Sequence, residues 1–207
     1  MSLKNNHEQS TTSFDTKERI FKRAAFLFAE KGYKDVGMRE IAEGIGIKAA
    51  SIYNHFDSKE RLLHNLYKFY IDNWEESVPD LDELLEMTRQ GKVSQAIQTL
   101  NFNFGQDRLD IMEAIAIIAI SRINSDDMSS KLLACHRHFK EDYIEFLNTL
   151  IEMDAIEPID VETFTNVVFT YITGTTLTNS SPLKISKENK NAALNMIYSL
   201  IKIKPTK

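Results

Sequence analysis

Ser51, Tyr53, Asn54 and His55 stand within five positions of one another, in a stretch reading GIKAASIYNHFDSKERLL from Gly46 to Leu63. Each can donate or accept a hydrogen bond. On a helix turning about 100° per residue, Ala49, Ile52 and Phe56 fall on one side and Ala50, Ser51 and Asn54 on the other, with Tyr53 and His55 flanking the edges. The outward face is small, polar and almost uncharged, where an ordinary solvated face carries Lys and Glu. The chemistry open to it is recognition of base edges in a DNA major groove. Small residues let the backbone come close, Ser and Asn bond the bases, and Tyr, His and the flanking Lys48 and Lys59 meet phosphates. A short connecting helix within a bundle would satisfy the same spacing.

Elsewhere the residues capable of chemistry do not converge. Cys135-His136-Arg137-His138 looks like a metal cluster. Successive residues on a helix point in different directions, whereas metal-ligand pairs prefer i,i+3 or i,i+4 spacing. Packing and solvated positions are therefore expected there, and no metal. A Gly-rich phosphate loop, a nucleophile elbow and paired metal ligands are all lacking, so neither catalytic residues nor a cofactor are expected and the chain does not read as an enzyme. Asn101-Phe102-Asn103-Phe104, with Leu109, Glu113, Ala116, Ile117 and Ile120, offers the lining of a pocket. Glu113 is the odd member: it reads either as the buried partner of an arginine such as Arg122 or Arg137, or as the selector of a cationic ligand. Trp74, Tyr143 and Phe146 suit a core as well as a ligand box. The candidate ligand residues are Trp74, Phe102, Phe104, Glu113, Ile117 and Tyr143.

The elements that must position these residues are helices. Seven Gly and four Pro in 207 residues leave few turns, and 43% apolar residues suffice for a sizeable core. The single cysteine, Cys135, excludes a disulfide framework. The longest apolar run, Ala114 to Ile120, is far short of the roughly 20 residues of a membrane span. No signal segment opens the chain; the expected setting is the cytoplasm, with no membrane partner. Charge is uneven. Residues 1–70 hold 12 Lys+Arg and 9 Asp+Glu, net +3, whereas 71–207 hold 13 and 21, net −8. A mildly basic head on an acidic body follows.

Residues 1–13 are polar and aperiodic and read as a disordered tail. Asp15 and Glu18 suit a capping box opening a helix that carries Ile20, Ala24, Leu27 and Phe28 and ends at Gly32. A helix over about 38–45 is closed by Gly46, and a third covers about 49–55. Asp57 and Glu60 suit a second capping box, opening a long helix with Leu63, Leu66, Tyr67, Tyr70 and Trp74 along one stripe. Further helices are predicted near 80–90, 92–104, 107–123, 127–154, 160–178 and 187–203. Two short helices joined by a glycine turn match a helix-turn-helix, the second being the reader.

From Thr16 to Leu63 the chain resembles the DNA-binding head of the tetracycline-repressor (TetR) family. The likeness lies in an alanine- and phenylalanine-rich first helix ending in Gly32-Tyr33, in Arg39-Glu40-Ile41-Ala42, and in the signature Tyr53-Asn54-His55-Phe56-Asp57-Ser58-Lys59-Glu60-Arg61-Leu62. Val36-Gly37 stands where the family often has Thr-Thr, Lys48 where a Ser commonly caps the reading helix, and Ala50 where a Gly is frequent, so an operator preference does not carry over. The resemblance implies an all-α protein: a three-helix helix-turn-helix head over 14–58 and a helical domain over 59–207 that binds a small molecule and dimerises through its last two helices. The expected DNA-contacting residues are Thr16, Arg39, Lys48, Ala49, Ala50, Ser51, Tyr53, Asn54, His55 and Lys59. The expected dimer interface is Phe164, Val168, Tyr171, Gly174, Leu194, Ile197, Tyr198 and Ile201. The implied partners are a double-stranded, palindromic operator, a second copy of the chain and a small-molecule effector. A constitutive or architectural DNA binder without an effector is the other reading of the same head.

Overall fold

Ile20, Ala24, Leu27 and Phe28, spaced for one face of a helix, are all buried along α1 (Asn6–Lys31). The structure is a computed structural model and describes residues 6–100, 106–122, 127–178 and 185–205. α1 begins at Asn6, so residues 6–13, expected in a disordered tail, are helical, and Asp15 lies inside the helix and not at its cap. Once the apolar stripe from Ile20 onward has nucleated the helix, each added residue gains a hydrogen bond without a new nucleation cost.

Nine more helices follow among the described residues: α2 (Met38–Gly44), α3 (Ala49–Ile52), α4 (Lys59–Ser77), α5 (Leu81–Arg89), α6 (Val93–Thr99), α7 (Gln106–Ser121), α8 (Asp127–Glu152), α9 (Val161–Thr178) and α10 (Lys187–Tyr198). The only β pairing among these residues is an isolated bridge between Ile156 and Ile203. The fold is all-α, and among the described residues no helix is long and apolar enough to cross a membrane.

The chain divides into two compact units, Met1–Tyr70 with Asp110–Ser130, and Ile71–Leu109 with Lys131–Lys207. In the first, α1 packs on α2 and α2 on α3, around Ile20, Ala24, Phe28, Ile41, Ala42, Ile52, Phe56, Leu62 and Leu66, each 2% exposed or less. The part of α7 in this unit is apolar nearly all round, and Ile111, Met112, Ala114, Ile115, Ile118 and Ala119 are buried accordingly. The Ser129 hydroxyl donates to the Tyr67 hydroxyl at 2.9 Å, both buried.

In the second unit, α5 packs on α6 and α9 on α10. Asp80 caps α5, its carboxylate accepting from the Asp82 (2.7 Å) and Glu83 (3.3 Å) N–H groups. The last helix ends at Tyr198, short of the expected 203. Ile201-Lys202-Ile203-Lys204 alternates with period two, and Pro205 follows. That pattern suits an extended segment. The Glu157 N–H donates to the Lys202 carbonyl (2.8 Å) and the Lys204 N–H to that of Ala155 (3.0 Å).

Candidate nucleic-acid interface

The turn between α2 and α3 follows from one glycine. The Gly46 N–H donates to the Glu43 carbonyl (3.1 Å) and the Ile47 N–H to the Ala42 carbonyl (3.0 Å), with Gly46 at φ +75°. This is the paired bonding by which a helix ends on a left-handed residue, which glycine adopts without the penalty of a Cβ. Arg19 of α1 fastens the same end, its guanidinium donating to the Ile45 carbonyl at 2.7 Å. Lys48 then sits in extended backbone ahead of α3, without a side-chain cap.

α3 is shorter than expected. Its regular part is Ala49–Ile52, and Tyr53 to His55 continue as a turn. The direction of the chain is nonetheless helical, since the Phe56 N–H donates to the Ile52 carbonyl at 3.0 Å. Ile52 is fully buried and Phe56 2% exposed. Ala49, Ser51 and His55 are half-buried, and Lys48, Ala50, Tyr53 and Asn54 are exposed. The inward–outward division expected of this segment is therefore present, except that Ala49 lies at the edge of the buried stripe and not inside it. The exposed residues form a small, polar surface with a lysine at one end.

The remaining expected contact residues are less uniform. Thr16 is half-buried on α1. Arg39 is exposed on α2, 3.6 Å from the Glu43 carboxylate, a solvent-exposed pair of little energetic weight. Lys59 is half-buried. Its ammonium lies 4.3 Å from the centre of the Tyr33 ring and donates to the Lys34 carbonyl at 3.3 Å. Burial pushes this amine below its ordinary value, and the Arg122 charge adds to that while Glu60 and Asp35 oppose it. The Tyr33 hydroxyl donates to Glu60 at 3.3 Å, and burial, then the Glu60 charge, raises the phenol to about 12. The cap of α4 is Ser58, whose hydroxyl accepts from the Arg61 N–H at 3.1 Å, and not Asp57 as expected. α4 begins at Lys59, which leaves Ser58 in the capping position.

Of the candidate ligand residues, Trp74 and Tyr143 lie in the second unit, Glu113 and Ile117 on α7 in the first, and Phe102 and Phe104 lie outside the described residues. Trp74 is 7% exposed and 4.3 Å, centre to centre, from the His136 ring. Phe139 packs against Trp74 (5.9 Å), Tyr143 (6.2 Å) and Phe169 (5.8 Å). Burial holds the His136 imidazole down at about 4, so it is neutral at physiological pH, and raises the Tyr143 phenol well above its ordinary value. Glu113 is 9% exposed. No group of three His, Cys, Asp or Glu capable of holding a metal occurs among the described residues.

For the dimer candidates the structure corrects the expectation in part. Phe164, Val168 and Ile201 are buried within their own unit, Phe164 with its ring 6.3 Å from that of Tyr198. Tyr171, Leu194, Ile197 and Tyr198 are half-buried and Gly174 is exposed. The outward apolar residues of this region are Val167, Leu177, Met196, Leu200 and Ile203. Apolar content alone picked out the two helices. It could not say which residues the helices turn toward one another, because both faces are apolar.

A short helix with one buried stripe and a small, polar outer face, held behind a second helix by a glycine turn, makes the first unit a helix-turn-helix DNA-binding head. Residues 20–66 match the family described as bacterial regulatory proteins, tetR family. IcaR of Staphylococcus aureus, a negative transcriptional regulator of the biofilm operon icaADBC, is 25% identical over 190 residues, which cover 90% of this chain and 97% of its own. The structure of the ketosteroid transcriptional regulator KstR2 of Mycobacterium tuberculosis superimposes with a TM-score of 0.61 at 20% identity, over 90% of this chain and 95% of that one. A Saccharomonospora viridis transcriptional regulator in complex with choline does so at 0.58 and 16% identity, over 93% and 100%. Residues 20–66 thus match the DNA-binding head of the tetR regulatory family, and the chain is similar over most of its length to a transcriptional regulator and shares the fold of others.

Proposed function

We propose that this regulator is a repressor that works in the cytoplasm, binds a palindromic operator as a homodimer, and changes its DNA affinity when a small molecule binds its C-terminal helices. The observation that carries the reading is the outward surface of α3 and the turn after it, where Ala50, Tyr53 and Asn54 are exposed beside Lys48 while Ile52 and Phe56 anchor the opposite side. The repressor sign is supported by the negative regulator IcaR, and a small-molecule effector by the choline complex. Exposed Met196, Leu200, Val167 and Leu177 support pairing of two copies. A constitutive binder without an effector is favoured by one observation: Trp74, His136, Phe139, Tyr143 and Phe169 pack on one another as a filled core does.

Selection of bound duplexes from a random pool tests the first part. An inverted repeat is expected, with half-site centres about one helical turn, roughly 34–36 Å, apart. Recovery of no motif would overturn sequence-specific regulation. Titrating a metabolite library against the protein on that duplex then separates the two readings. A ligand that binds the protein and weakens DNA binding supports effector control, since the coupling between two sites is reciprocal. Tight binding of a ligand without change in DNA affinity supports the constitutive reading.

A further inference from the structure

Arg122, just beyond α7, was expected at most as a partner of Glu113. In the structure its guanidinium carbon lies 4.3 Å from the centre of the Tyr33 ring. The Lys59 ammonium lies 4.3 Å from the same centre. Tyr33 follows Gly32 at the end of α1, and its ring packs edge-on against Phe28 with centres 5.2 Å apart. Lys59 is the first residue of α4 and lies within the signature that begins at Tyr53. One aromatic ring thus carries two cations. Each is attracted to the ring by its quadrupole. The two charges are nearer to each other than the Debye length at 0.1 M salt, about 10 Å, so they also repel.

We propose that Arg122 is a positioning residue for DNA binding: by sharing the Tyr33 ring with Lys59, it sets how far the Lys59 ammonium extends toward a DNA phosphate. The inference rests on the DNA-binding reading of the head and on Lys59 as a phosphate contact. With Arg122 in place, seating Lys59 deeper against Tyr33 and the Lys34 carbonyl is opposed by a like charge. Without it, the ring, Glu60 and Asp35 attract Lys59 alone, and the ammonium withdraws from the phosphate. α7 begins in the second unit and reaches this ring just past its end, so the position of Lys59 is tied to a helix that the reading surface itself never touches in sequence.

The test is a double-mutant cycle on the full chain with Arg122→Gln and Lys59→Gln. DNA affinity on the selected duplex is followed by fluorescence anisotropy from 50 to 200 mM salt, and thermal unfolding is recorded in parallel. Arg122→Gln is expected to weaken binding roughly three- to tenfold, the scale of one hydrogen bond, and to make the salt slope shallower by about 0.9, the loss of one phosphate. Lys59→Gln should do the same, the double variant should be no worse than Lys59→Gln alone, and Arg122→Lys should restore affinity. Tyr33→Leu keeps apolar bulk without the ring quadrupole, and in that background Arg122→Gln should have no effect, which holds even where Arg122→Gln lowers stability. Additive losses, an unchanged salt slope, or a Tyr33→Leu background that still responds would overturn the proposal. A wild-type chain that binds no duplex would overturn the DNA reading as well, whereas normal wild-type binding with additive variants defeats this inference alone.

Discussion

Two exposed surfaces of this chain depart from the usual coat of Lys and Glu, and they do so in opposite directions. On α3 and the turn after it, Tyr53 and Asn54 present hydrogen-bonding groups and Ala50 adds little bulk beside them. On α9, α10 and the segment after it, Val167, Leu177, Met196, Leu200 and Ile203 present aliphatic bulk and almost no hydrogen-bonding capacity. The first surface suits an irregular polar partner whose edges must be matched group by group. The second suits a partner of its own kind, since burying apolar area needs no directional match. On the proposed reading, what separates base recognition from pairing of copies is the chemistry left outward once each helix has satisfied its own core.

The contrast is sharpest in the turn that follows α3. Phe56→Ala removes a buried ring and is expected to destabilise the protein by about 3–5 kcal/mol. Tyr53→Ala, at 52% exposure, is expected to change stability by less than about 0.5 kcal/mol. Denaturant unfolding of the two variants measures this. Equal losses would mean that the segment is an ordinary bundle helix whose two faces do the same work.

The aliphatic surface is tested by Met196→Glu with Leu200→Glu. Among the described residues these are the most exposed large apolar side chains, at 73% and 62%. The double variant should fold normally, sediment as a monomer where the wild type is expected to sediment as a dimer, and bind the selected duplex roughly 100-fold more weakly, because carboxylates would have to be buried unpaired at the contact. An unaltered sedimentation coefficient would place the interface elsewhere.

Much of the head was legible because its local signals agree with one another. The stripe Ile20-Ala24-Leu27-Phe28, the closing glycines Gly32 and Gly46, and the alternation of anchor and outward residues around Ile52 and Phe56 are each set by neighbours a few positions away. The misses share a different cause. Ser58 and not Asp57 caps α4, because adjacent polar residues compete for one position and only the helix start decides between them. Phe164 and Val168 turn inward while Val167 turns outward, a choice made by tertiary packing between two helices whose faces are both apolar. Lys59, expected only as a flanking phosphate contact, also lies against Tyr33, 26 positions earlier in the chain, which no local pattern signals. Only the Ile-Lys-Ile-Lys-Pro ending carried an unread local signal, a period of two where a helix was expected.

The central claim is that the outward surface of α3 reads base sequence. The most direct measurement compares the wild type with Asn54→Ala across a panel of duplexes, each differing from the selected site by one base pair. Loss of one base-edge contact should flatten preference at one position in each half-site, removing about 1–3 kcal/mol of discrimination there and leaving the other positions in their original order. If Asn54→Ala keeps the same preference at every position, the surface does not read DNA and the claim is contradicted.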